Sequence, residues 1–198
     1  MPSSPVTLAL SLSLAGLTAC GHGQAASPAP QDTSLKGVQQ APQEASAALQ
    51  AVLGLIQHSR QLSDLTIEHV GHHMGQPLQP ADDGSPLHGF GVQLDDNWHY
   101  GVLLDSQQQP RFELSFNNST DDSSIGDSAS MQTLCQLDYA GFTARLEAQG
   151  LQRASFHGGH GQLQREIFSK PRLQVSVYPQ GESAGNAQQL CVRMVSIP

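Results

Sequence analysis

Residues 90–116 constrain this chain more than any other stretch. Phe90, Val92 and Leu94 alternate with Gly91 and Gln93. Asp95, Asp96 and Asn97 follow as turn residues, and then Trp98, Tyr100, Val102 and Leu104 alternate in turn. A polar loop at 105–110 leads into Phe112, Leu114 and Phe116. A period of two sends every second side chain to the same face of an extended chain. Three such runs separated by turn residues predict a three-stranded antiparallel meander with one buried and one wet face. The aromatic and β-branched content suits strands.

On either side the period changes. Leu49, Val52, Leu53 and Ile56 recur at helical spacing, which predicts an amphipathic helix over 44–60. A second, short helix has a sharper start and stop. Thr66 is a good N-cap, Glu68 lies in the first turn, and Leu65 and Val70 are spaced as a hydrophobic staple. Gly75 can take the left-handed position after the last turn, and Pro77 prevents continuation.

After a polar, acidic stretch at 117–130 the pattern returns loosely. Residues 133–137 read as a short strand or a helical lead-in. Asp138 can cap a helix over 139–149, with Phe142 and Leu146 on one face and Gly150 closing it. Strands are predicted over 151–156, 163–168, 173–177 and 190–197, with Pro171 and Pro179 at strand ends. Helices, strands, helix, strands is an α+β order: an antiparallel sheet with helices packed on one face, divisible into tandem helix-plus-meander halves at 44–117 and 131–198.

The amino-terminal segment is of a different kind. The first twenty residues carry no Asp, Glu, Lys or Arg, and Val6 opens a short apolar run that ends at Gly16. The run is shorter than the roughly 20 residues a membrane span needs and fits the core of a signal peptide. Leu17-Thr18-Ala19-Cys20 follows. This resembles the lipobox of bacterial lipoproteins. The resemblance implies a signal at 1–19, a lipidated Cys20 and a flexible tether over 20–43, rich in Ala, Gln, Ser, Pro and Gly. It implies two or three acyl chains at Cys20, enough for stable anchoring where one chain binds marginally. Gly21, in place of Asp, fits transfer to the periplasmic side of the outer membrane. Residues 1–5 lack the usual Lys or Arg. The terminal amine is then the only positive charge ahead of the apolar run, unless a basic segment lies upstream.

The cysteine arithmetic agrees with this. Of three cysteines, lipidation of Cys20 leaves Cys135 and Cys191, either as a disulfide in an oxidising compartment or as two buried thiols. Both sit among apolar residues, a poor setting for a reactive thiol. About 155 of the 198 residues remain for a folded domain, enough for one core or two very small ones. The formal net charge of -8 leaves no basic patch for nucleic acid.

Chemistry-bearing residues are dominated by nine histidines. His69 and His73 are four apart on one predicted helix, with His72 beside them, and His157 and His160 flank a Gly-Gly pair. Two such pairs could complete a tetrahedral metal site with Glu68 orienting a ring; the bland alternative is a set of exposed polar histidines. The spacing is not that of a zinc protease helix. Asp82 and Asp83, and Asp121, Asp122 and Asp127, do not follow the calcium-loop pattern and read as solvated loops. The chain has no nucleophile-elbow or phosphate-loop motif, so the expectation is a non-enzyme that needs no cofactor. Trp98 and Tyr100 share a strand face and are either core residues or interface anchors.

The helix–turn–strand passage from Leu65-Thr66-Ile67-Glu68-His69-Val70 through Gly75-Gln76-Pro77 to Trp98 and Tyr100 resembles envelope lipoprotein domains of the β-lactamase-inhibitor-like kind. The anchor, tether and small domain together resemble the immunity lipoproteins that bacteria pair with antibacterial effectors. What the resemblance implies is a protein partner in the periplasm, a toxin whose active site the domain blocks. A structural or assembly lipoprotein of the outer membrane is the second expectation. A histidine-dependent metal-binding lipoprotein is the third.

Overall fold

The computed structural model describes residues 40–107, 109–118, 131–181 and 190–198. Cys20, the signal segment, most of the tether, Asp121, Asp122 and Asp127 lie outside the described residues. Among those described, no helix is long and apolar enough to cross a membrane.

Helix α1 is Ala45–His58, and seven of its side chains are buried, from Ala45 to Ile56. Carbonyls along its last turns are taken up by side chains as well as by backbone. Gln149 Nε2 donates to Leu53 O at 3.1 Å, Ser59 Oγ to Leu55 O at 2.8 Å and Lys170 Nζ to Ile56 O at 2.7 Å. These bonds satisfy a helix end that would otherwise be costly to bury. A 3-10 turn, Leu62–Asp64, leads to α2, Ile67–Met74. Thr66 caps α2 as its sequence predicts, accepting from the His69 N–H at 3.1 Å. Leu65 and Val70, the staple pair, are both buried. Gly75 ends the helix at φ 71°, and a Cβ there would lie 2.7 Å from Gln40 O, so glycine is required on two counts. Helix α3, Tyr139–Ala148, is capped by Asp138, whose Oδ1 accepts from Gly141 N at 2.7 Å.

The strands are β1 Gln79–Pro80, β2 Leu87–Gln93, β3 Trp98–Asp105, β4 Arg111–Asn118, β5 Gln152–His157, β6 Leu163–Lys170, β7 Leu173–Gly181 and β8 Leu190–Ile197. They form one antiparallel sheet in the order β1-β2-β3-β4-β8-β7-β6-β5. The predicted meander is β2–β3–β4. Asp95 turns it, its Oδ1 accepting from the N–H groups of Asn97 and Trp98, both at 2.8 Å. The two runs of strands meet at β4 and β8, where Phe112 pairs with Ile197 and Leu114 with Val195. A single apolar core spans α1, α2, α3 and both runs.

Three local readings differ from the structure. Residues 134–137 hold neither strand nor helix; a 3-10 turn that ends at Thr133, Met131–Thr133, precedes them, and a lone bridge between Asp138 and Cys191 follows. Pro179 lies inside β7 and not at its end, where the register with β8 shifts after Tyr178; a residue without an N–H is tolerated at such an irregularity. The two-residue β1 pairs with β2 and has too short a pattern to be read in advance.

Candidate binding surface

The histidines gather at the corner between α1 and α2. His69 and His73 do meet, with ring centroids 4.7 Å apart. The other rings against His73 are His58 of α1 at 5.0 Å and His72 at 5.5 Å. The expected second pair does not join them: His157 ends β5 with its side chain exposed, and His160 lies in the 3-10 turn Gly159–Gly161. Among the described residues no group of three or more His, Cys, Asp or Glu is arranged to hold a metal ion. Glu68 is exposed on α2. His73 is pushed down to about 4, first by burial and then by its neighbours His69, His58 and His72. Asp82 and Asp83 lie in the loop between β1 and β2, where Asp83 Oδ1 accepts from Ser85 N at 2.9 Å.

Trp98 and Tyr100 are buried, and the Tyr100 hydroxyl donates to Pro42 O at 2.8 Å. Burial raises the Tyr100 phenol well above its ordinary range. Both side chains belong to the core and offer nothing to a partner in this arrangement. Cys135 and Cys191 stand at disulfide distance, with Cα atoms 5.0 Å apart across 56 residues, and tie the segment before α3 to β8.

The inward face of the sheet can be followed as one row of paired residues: Phe90, Val102, Leu114, Val195, Val177, Glu166 and Ser155. It is apolar until Glu166, which is 2% exposed. Glu166 Oε1 accepts from Arg153 Nη2 at 2.6 Å and Ser155 Oγ at 3.0 Å. Arg153 also lies 3.8 Å from Glu147 of α3. Tyr139 is buried nearby, its hydroxyl donating to Val177 O at 3.2 Å; burial and the Glu166 carboxylate hold its phenol protonated. A buried carboxylate needs such partners, because desolvation without them would be prohibitive.

One residue along, the opposite face reads Gly91, Gly101, Ser115, Met194 and Tyr178. It continues through Arg165, whose Nη1 donates to the Tyr178 hydroxyl at 3.2 Å, to Phe156, which pairs with Arg165. The Arg165 guanidinium lies 5.2 Å above the Phe156 ring centre, within cation–π reach. Phe156 and Leu103 are the large apolar side chains left exposed among the described residues, at 45% and 44%. A shallow concavity of about 340 Å³ opens beside this row, with Glu113, Asn117, Tyr178, Arg193 and Met194 in its walls. The face is thus low on the β2–β3 side, where glycines leave backbone bare, and bulky toward β5. The sequence hid it, because Phe156, Arg165 and Tyr178 lie on three strands and only pairing brings them together. Comparison of the chain with models of protein families, with curated proteins and with solved structures gives no match.

Proposed function

We propose that this chain is a lipid-anchored binding protein of the bacterial envelope, held at Cys20 on the periplasmic side of the outer membrane. It acts as an immunity or inhibitor protein that blocks an antibacterial effector. The observation that carries the binding reading is the row of Met194, Tyr178, Arg165 and Phe156 on the outward sheet face, half-buried at the first three and exposed at Phe156. Aromatic residues, Met and Arg are the types enriched where proteins meet, and a guanidinium fixed between two rings loses little freedom on binding. The lipobox-like Leu17-Thr18-Ala19-Cys20 supports the anchor. The cysteine pair suits an oxidising compartment.

The same reading treats the fold as two tandem helix-plus-meander units with their helices on one face. In support, α1 and α2 precede β1–β4 and α3 precedes β5–β8, and all three helices share one core with the inward row. That division leaves the outward face as the surface for a partner. The experiment is a growth competition. A strain lacking the gene is expected to be killed beside kin that deliver the effector and to be rescued by the full chain. Unimpaired survival of the deletion strain would remove the immunity role.

A further inference from the structure

The corner between α1 and α2 brings four imidazoles together, and among the described residues none of them is in an ion pair. His73 touches the rings of His58, His69 and His72 at 5.0, 4.7 and 5.5 Å. Their hydrogen bonds fix where protons already sit. His58 Nδ1 lies 2.8 Å from Gly54 O, and since a carbonyl only accepts, Nδ1 carries the hydrogen. Ser59 Oγ gives its one hydrogen to Leu55 O at 2.8 Å, so His69 Nε2, 3.3 Å away, is the donor to Ser59. Each of these two rings therefore has one free lone pair in its neutral form and can take a second proton without breaking either bond.

Among the described residues the charged groups around the corner compensate for such a proton only in part. On α2 itself Glu68 is exposed, and neither ion pair among the described residues involves a histidine. From the 3-10 turn Asp64 interacts electrostatically with His69, and its Oδ2 also accepts from the N–H groups of Arg60 and Gln61, at 2.7 and 3.2 Å. At the end of β6 Lys170 carries a positive charge, bound to Ile56 O of α1 and balanced in part by Asp64. Helix α2 is only eight residues long, too short to persist without its packing. It is held by Val70 and Met74 in the core, the Thr66 cap and this corner.

We propose that the four-histidine corner is an acid-sensitive catch: α2 stays docked on α1 while the imidazoles are neutral and loosens when two or more are protonated, before the sheet itself opens. Histidine changes charge in the mildly acidic range that an envelope protein meets. The sign follows from His73. Its folded value of about 4 lies below the ordinary 6.5, so the unfolded chain takes the proton first. The stability this group contributes is complete above pH 6.5 and is lost as pH falls toward 4.

Amide hydrogen exchange of the full chain, with chelator present throughout, tests this between pH 7.5 and 5. Protection in 67–74, relative to β3 and β4 in the same sample, is expected to fall by about tenfold or more, as like charges about 5 Å apart demand at intermediate polarity. In the variant His58→Gln with His72→Gln the fall should shrink to less than about threefold, with fewer like charges facing His73. Parallel loss of protection in α2 and the sheet, or an unchanged ratio in the wild-type chain, would overturn the proposal. So would an equal fall in the variant. If the variant does not fold, raising salt on the wild-type chain must reduce the fall at pH 5, and no reduction counts against the catch.

Discussion

The two faces of the sheet run one residue apart and reverse character along the same strands. From β2 to β7 the inward row is Phe90, Val102, Leu114, Val195 and Val177, while the outward row is Gly91, Gly101, Ser115, Met194 and Tyr178. At the β5–β6 end the inward side turns polar at Glu166 and Ser155, and the outward side carries Arg165 and Phe156. The first half of the contrast is what any half-covered antiparallel sheet shows. The second half is not. All six residues of β5 are exposed. The apolar side chain there is spent on the solvent side, where packing gains nothing unless a partner arrives.

The contrast can be broken on either side. The largest effect is expected from the inward side. Phe116→Ala removes a side chain only 2% exposed and should cost about 3–5 kcal/mol, read from urea unfolding. Comparable loss is expected from Cys135→Ser. The bond to Cys191 closes 56 residues and constrains the unfolded chain by about 4 kcal/mol in the chain-entropy treatment. Arg153→Ala should cost about 2 kcal/mol, less than for a fully buried pair because Arg153 is itself partly exposed. Adding Glu166→Gln to that variant should recover much of the loss, since the uncompensated charge is then gone; a double-mutant cycle without coupling would separate the two residues. The smallest effect on stability is expected on the outward side. Tyr178→Ala should change the unfolding free energy by less than about 1 kcal/mol, because the side chain is only half-buried on a face it shares with Met194 and Arg165. A large loss would mean that the outward row supports the fold itself.

Local chemistry in the sequence foretold local structure well. Thr66 and Asp138 cap the helices they were expected to cap, and the alternation from Phe90 to Phe116 became three strands with one buried face. The alternation also explains Trp98 and Tyr100, which follow the apolar period into the core. Long-range pairing was not legible. Nothing in residues 111–118 or 190–197 announces that β4 and β8 adjoin, since antiparallel register depends on both strands at once. Nothing in the sequence ties His58 to His69 and His73, because a helix and its neighbour in space share no common period. Glu166 reads as the polar half of an alternating strand, and only the fold shows that its side points inward.

On the proposed reading a partner binds the outward row. Site-specific photo-crosslinking in living cells tests it directly, with the reactive group placed in the full lipidated chain at Tyr178, at Phe156 or at the exposed Ala140 of α3. The account predicts one discrete adduct from Tyr178 and Phe156 and none from Ala140. Adducts that form equally from Ala140, or none from either sheet position, would contradict it.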